Sequence, residues 1–498
     1  FDYDNKPVVE IVNEIIEDSI KKGASDIHFD PEEKGINVRI RIDGELHDYC
    51  KIPESVKKNL TTRVKIISGM NITESRLPQD GAIKHLDDGK QLDLRVSSLP
   101  TIHGEKIVIR ILDYSMSLAG LETLGFTDEN YEKVKTALTA PNGIILVTGA
   151  TGSGKSTTVY SMLQLLNTPQ TNIITVEDPV EMKMKGLNQV QVMSEIGLDF
   201  NTTLRSILRQ DPNVIMIGEI RDDETARIAV RASITGHLVL STIHTNNSLN
   251  TIERLLDMDV ERYLLGSALT AIISQRLCKK LCPKCRKSRP TTEYEKNLFK
   301  KVLNKDVPAI YDAVGCDECF NGYKGRIALH EVLLLNQDIR DAIINNIKKE
   351  ELRNLVYDKD NTKTLLEDGL VKIINGSTTI EEVVKVIDLD TDFGENDVEI
   401  RNAFLGKELK KDEENLKKEQ SEIKEKENVV FDNPKIDSKN EPTFENSVDY
   451  YNELKQSIDY MLQVEKSMTN NSFVINKTLD EELEYYLSTM NMSPQERA

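Results

Sequence analysis

The stretch GIILVTGATGSGKSTTVYSML, residues 143–163, constrains this chain more than any other. An apolar run, Ile144 to Val147, stops in a glycine-rich turn, and Lys155 then opens a helical pattern. Gly149-Ala150-Thr151-Gly152-Ser153-Gly154-Lys155-Ser156 has the spacing G-x-x-x-x-G-K-[ST]. Glycines in such a turn let successive backbone N–H groups converge on phosphate oxygens, and the helix behind presents its positive end. With a strand before and a helix after, the sequence predicts a nucleotide site over Gly149 to Thr157. Lys155 reaches the β- and γ-phosphates of ATP, and Ser156 is the expected Mg²⁺ ligand.

Binding alone is not hydrolysis, so the other strand ends matter. NIITVED, NVIMIGE and HLVLSTIH are short and mostly apolar, with helical stretches between them. That alternation predicts a doubly wound, mostly parallel sheet over about 127–277. Ligands bind at the carboxyl ends of such strands, where Glu177, Asp178, Glu219 and His244 fall. Water attack on a phosphate needs a metal and a group that orients the water, which Glu219 and Glu177 can supply. Each carboxylate alone could equally cap a helix; converging on one phosphate level, they point to a site. The VIMIGE strand has Glu219 but no preceding Asp for Mg²⁺, so Glu219, or Asp178 through water, is the alternative holder. His237 and His244 bracket one strand, roughly 23 Å apart if fully extended at about 3.3 Å per residue. His244 is the γ-phosphate sensor candidate, and His237 reads as a hydrogen-bonded loop residue.

Before this region, residues 1–112 read as a small α/β domain. Val8, Val12, Ile15, Ile16 and Ile20 share a helical face that stops at Gly23, and INVRIRI alternates before an Asp43-Gly44 hairpin turn. A linker is expected at 113–126. After it, 278–330 is expected to be a cysteine-bearing insertion within an ATPase domain of 127–390, and 336–390 to be helical. Cys282-x-x-Cys285 and Cys316-x-x-Cys319 form two knuckles. Six cysteines in 498 residues are too few for a disulfide scaffold and suggest a reducing, cytoplasmic setting. There the four favour a closed, structural Cys₄ zinc site, with Cys50 and Cys278 as bystanders.

The net charge of −19 excludes a basic nucleic-acid-binding surface as the first reading. Residues 391–498 hold 25 acidic and 14 basic residues and include GKELKKDEENLKKEQSEIKEKEN, a largely disordered or solvated helical tail. Two amphipathic stretches follow, around Tyr451–Leu462 and Leu479–Met490, and serve as an accessory helical pair or a docking element. No run of 18 apolar residues marks a membrane span, and no secretory signal opens the chain. The first residue is not Met, so a processed or longer precursor is expected.

Several motifs in fixed order carry a resemblance. GATGSGKSTT, ITVEDPVE, LRSILRQDPNVIMIGEIRDDETA and ASITGHLVLSTIHTN are similar to the Walker A, Asp box, Walker B and His box of the type II secretion and type IV pilus assembly ATPases (the GspE/PilB family). GASDIHFDP, LDLRVSSLPTIHGEKIVIRIL, QRLCKKLCPKC and GYKGRIALHEVL extend the match over about 1–390. The resemblance implies a PAS-like N-terminal domain, a linker and a RecA-like P-loop motor domain, assembled as a homo-hexamer. It implies a cytoplasmic protein, peripheral on the inner face of the cell membrane, that acts on a polytopic inner-membrane platform protein. Arg95 and Arg110 match the arginines that close over the γ-phosphate; Arg76, Arg205, Arg209 and Arg221 are weaker candidates. By the same resemblance the Cys₄ module favours an assembly motor over a retraction or DNA-transfer motor, while the complete Walker A, Glu219 and both histidines disfavour a scaffold that binds nucleotide without turnover. Two departures are expected: the family's separate amino-terminal docking domain is not read in these residues, and the tail after 391 has no counterpart in the family pattern.

Overall fold

The computed structural model describes residues 6–87, 90–112, 120–357 and 362–387; the acidic tail and its two amphipathic stretches lie outside them. The first helix, Val8–Lys21, buries Ile11, Val12, Ile15 and Ile16 on one face, and Gly23 follows it at φ +72°. Six strands come next: β1 (Ala24–Glu32), β2 (Gly35–Ile42), β3 (Glu45–Ile52), β4 (Gln79–Asp87), β5 (Lys90–Thr101) and β6 (Gly104–Leu112). They form one sheet in the order β3-β2-β1-β6-β5-β4, antiparallel throughout. Asp43 and Gly44 take φ values of 50° and 92°, the left-handed pair that a two-residue turn between right-twisted strands demands.

Helices Val8–Lys21 and Glu54–Ile67 pack with this sheet around Ile27, Phe29, Ile40, Leu94, Ile107 and Ile109. Register puts different residues on the opposite face. Asp26 pairs with Arg41 on β2 and with Arg110 on β6, and Arg110 pairs with Arg95 on β5. Residues directly opposite in register share a face, so Arg41, Asp26, Arg110 and Arg95 form one charged row across four strands.

The second sheet has seven strands: β7 (Gly143–Thr148), β8 (Ile173–Glu177), β9 (Asn188–Gln191), β10 (Val214–Ile217), β11 (Leu238–Ile243), β12 (Leu269–Leu281) and β15 (Tyr323–Leu334). Their order is β15-β12-β7-β11-β10-β8-β9, parallel except for β15 against β12. Every residue of β7, β8, β10 and β11 is buried, which is why these strands read as apolar runs rather than alternations. Ile144 and Leu146 enter one core, and Ile145 and Val147 the other. Successive side chains on a strand point to opposite faces, so the two cores cover the two sides of one sheet.

β12 and β15 run on into the stretch expected as an insertion, so 278–281 and 323–330 belong to the main sheet. Between them lie a two-stranded sheet, β13 (Lys287–Pro290) with β14 (Ala309–Asp312), and the helix Glu293–Leu303. Phe299, Ile310, Leu365, Leu370 and Ile373 close a satellite core over them. Contacts also join the two sheet domains. Gly325 N–H donates to Asp43 at 2.8 Å, Glu45 pairs with Lys279, and the His47 and Phe320 rings lie 5.1 Å apart. Among the described residues, no helix is long and apolar enough to cross a membrane.

Candidate active site at the carboxyl ends of the parallel strands

The glycine spacing acts through backbone sterics. Gly149, Gly152 and Gly154 all have positive φ, at 152°, 79° and 87°. A Cβ on Gly149 would sit 2.4 Å from the Gln275 carbonyl oxygen, and one on Gly154 would sit 2.7 Å from Gln275 Nε2. The turn is therefore shaped by the strand beside it as well as by its own torsions. Helix Lys155–Leu166 starts directly behind it. Lys155 folds back over the turn, donating to Gly149 O at 2.9 Å and Ala150 O at 3.0 Å. Burial pulls its ammonium below the ordinary value; Glu219 opposes that shift and Arg276 adds to it.

A cavity of about 470 Å³ opens over this turn. Thr151, Gly152, Gly154, Lys155, Ser156 and Thr157 line one side; Glu177, Asp178, Glu219 and His244 come from the ends of three other strands. The structure thus brings most of the expected residues to one place. Gly149, Ala150 and Ser153 complete the turn beneath them.

The two carboxylates differ in setting. Glu177 is 3% exposed and accepts from the Tyr160 hydroxyl, from Thr175 Oγ1 at 2.5 Å and from Gln189 Nε2 at 3.2 Å. Glu219 is partly exposed, bonded to Arg221 through one oxygen and 3.3 Å from His244 Nε2 through the other. Burial pushes the Glu219 carboxyl up, but Arg221 and His244 outweigh it and hold it below its ordinary value. Both carboxylates line the cavity, Glu219 the more exposed of the two and Glu177 the more fully hydrogen-bonded. His237 stands at the other end of β11, its Nδ1 2.9 Å from Ala232 O, as a loop histidine.

The arginines do not reach the cavity in this conformation. Arg95 donates to Val180 O at 3.4 Å and lies 3.8 Å from Glu181, a cavity-lining residue on the loop after β8. Arg110 is 66% exposed and paired with Asp26 at 3.0 Å within its own sheet. Arg76 pairs with Glu74, Arg205 with Glu224 and Arg221 with Glu219, while Arg209 bonds within its own helical turn.

Some residues at the site lie in stretches that the sequence singled out, but carried no role there. Gln275 and Arg276 on β12 touch the glycine-rich turn, Tyr160 holds Glu177, and Arg326 from β15 lines the cavity. A helical Tyr in TTVYSML reads as core, and the Gln-Arg pair sits in a strand more than a hundred residues away.

The four knuckle cysteines converge. The Sγ atoms of Cys282, Cys285, Cys316 and Cys319 lie within 4.8 Å of one another. The closer pairs are 4.0 Å (Cys282–Cys316), 3.6 Å (Cys285–Cys319) and 3.5 Å (Cys316–Cys319). A tetrahedral zinc with Zn–S near 2.3 Å sets sulfurs about 3.8 Å apart, so the donor set fits that ion. Cys278 is separate: it is buried in the satellite core, its thiol pushed up to about 11 by burial.

Residues 2–385 match the family described as Type II/IV secretion system protein. The type IV pilus assembly ATPase PilB of Myxococcus xanthus is 45% identical over 390 residues, covering 76% of this chain and 68% of that protein. The type II secretion system ATPase E of Vibrio cholerae is 41% identical over 384 residues, covering 77% of this chain and 76% of its own. Among solved structures, the pilus retraction motor PilT with bound ADP superimposes with a TM-score of 0.52 at 28% identity, over 76% of this chain and 97% of that one. The phosphate turn, the carboxylates at the strand ends and this match over most of the length lead to one assignment: the chain is an ATP hydrolase that belongs to the type II/IV secretion system protein family.

Proposed function

We propose that this chain is the assembly motor of a type IV pilus or type II secretion system, working as a homo-hexameric ring against a polytopic membrane platform protein. The observation that carries the chemistry is the convergence of Lys155, Ser156, Glu219 and His244 on one cavity. Lys155 neutralises β- and γ-phosphate charge, Glu219 orients the attacking water, and His244 contacts the γ-phosphate. Ser156 would hold Mg²⁺, which would supply neutralisation of phosphate charge. Zinc on Cys282, Cys285, Cys316 and Cys319 is structural, since four protein ligands leave no open position.

The charged row on the first sheet explains how hydrolysis couples to motion. Arg95 already rests beside the loop after β8, and Arg110 is held by Asp26. Both reach a γ-phosphate only when the first domain shifts, so turnover depends on domain position. Two features support assembly over retraction: the Cys₄ module, and identities above 40% to an assembly and a secretion ATPase against 28% to the retraction motor.

The test is Arg110→Ala in the full chain, with ADP affinity and ATP turnover measured together. Turnover should fall by roughly 10³, the usual worth of such an arginine, at unchanged ADP affinity. Undiminished turnover would remove Arg110 from the chemistry and with it the coupling to domain position.

A further inference from the structure

Two adjacent side chains on β12 touch two different loops of the site. Gln275, 2% exposed, donates from Nε2 to Ser153 O at 2.7 Å and accepts from Thr158 Oγ1 at 2.7 Å. It thereby holds both the glycine-rich turn and the first turn of helix Lys155–Leu166. Arg276 donates from Nη2 to Asn246 O at 3.0 Å and to the Asn246 side-chain oxygen at 3.1 Å. Asn246 is two residues beyond His244. Neighbouring residues on a strand point to opposite sides, so one dipeptide serves loops on both sides of the sheet.

The other anchors of the His244 loop lead back to the same place. Thr148, the last residue of β7 before the turn, donates to Thr245 O at 2.8 Å and accepts from Thr245 N–H at 3.1 Å. Ser248 N–H donates to the buried Glu331 at 2.8 Å. Arg276 also crowds the turn directly: a Cβ on Gly149 would sit 3.2 Å from its Nη1. Its guanidinium is buried, so its bonds to Asn246 are charge-assisted and shielded from water. The turn and the His244 loop are therefore joined through protein contacts on two strands, Thr148 at the end of β7 and the Gln275-Arg276 pair on β12.

We propose that Gln275 and Arg276 are a positioning pair: Gln275 sets the phosphate turn, and Arg276 transmits its state to the His244 loop, so that Arg276 governs discrimination between ATP and ADP. The proposal rests on the reading of His244 as the γ-phosphate contact. Neither residue touches the nucleotide; both act through the loops they hold. Loss of Gln275 loosens the seat of every phosphate, whereas loss of Arg276 acts chiefly on the loop that senses the third.

The experiment measures the dissociation constants of ADP and of a non-hydrolysable ATP analogue for the full chain. The variants are Gln275→Ala, Arg276→Ala, Arg276→Lys, His244→Ala and Arg276→Ala with His244→Ala. Arg276→Ala should lower the preference for the analogue over ADP about tenfold, the scale of coupling between contacting groups, at unchanged ADP affinity. Arg276→Lys should restore part of that preference, since an ammonium keeps one bond to Asn246. The double variant should discriminate no worse than the weaker single one, and Gln275→Ala should weaken both nucleotides alike. Equal losses for both nucleotides in Arg276→Ala, or strictly additive effects in the double variant, overturn the proposal. If His244→Ala keeps full discrimination, the sensor reading beneath it fails; if His244→Ala loses discrimination while Arg276→Ala keeps it, the coupling alone fails.

Discussion

Removing one buried oxygen, in Tyr160→Phe, tests how the acidic side of the site is held. The hydroxyl donates to Glu177 and accepts from the backbone N–H groups of Glu181 at 3.2 Å and Met182 at 3.3 Å. Glu177 keeps two other donors, Thr175 and Gln189, so the variant does not strand a bare charge. A hydrogen bond to a charged group contributes about 1.5–3 kcal/mol. The two amides, already at long distances, add little. The expected cost is about 2 kcal/mol, or roughly 4–8 °C in the melting midpoint at about 2–4 °C per kcal/mol for a domain of this size. The effect should also reach the chemistry, because the loop freed at Glu181 and Met182 is the one on which Arg95 rests through Val180. Turnover should drop about tenfold. Thermal unfolding and steady-state phosphate release read the two effects separately. A midpoint unchanged within 1 °C would refute the structural claim; a lowered midpoint with full turnover would confine Tyr160 and Glu177 to a structural role.

Three further outcomes are expected. Glu219→Gln should keep ADP binding and lose at least 10² in turnover, since it retains shape without the carboxylate; parallel losses in both would assign Glu219 to binding instead. Because Glu219 is held below its ordinary value, it stays ionised through neutral pH, and its contribution to stability and activity is lost only in acid, as pH falls beneath the ordinary carboxylate range. Arg221→Ala removes the strongest partner holding that value down and should move the acid limb of the turnover profile upward; a stationary limb would show that another group sets it. The chain should carry one zinc, and Cys282→Ser should lose it and expose the segment 282–322 to protease while ADP still binds; a metal-free, protease-resistant wild type would dismiss the zinc reading.

Local signals were the legible ones. The spacing of Gly149, Gly152 and Gly154 dictated a turn with positive φ, because only glycine reaches those torsions cheaply. Apolar runs marked β7, β8, β10 and β11 as fully buried strands, and Asp43-Gly44 marked its hairpin. Two C-x-x-C pairs, each compact in sequence, announced a possible metal, although only the fold brings residues 34 apart within bonding reach of one ion.

What the tertiary structure decided was every relation between strands that are distant in sequence. Gln275 bonds Ser153 across 122 residues, and Arg276 bonds Asn246 across 30. Neither could be read locally, because strand order, not sequence distance, makes β12 the neighbour of β7. The charged row of Arg41, Asp26, Arg110 and Arg95 likewise exists only through register. Backbone torsion and side-chain periodicity are set by immediate neighbours and so can be read from the sequence. Partners of buried polar groups are chosen by which strands the cores bring side by side, and that emerges only from the assembled sheet.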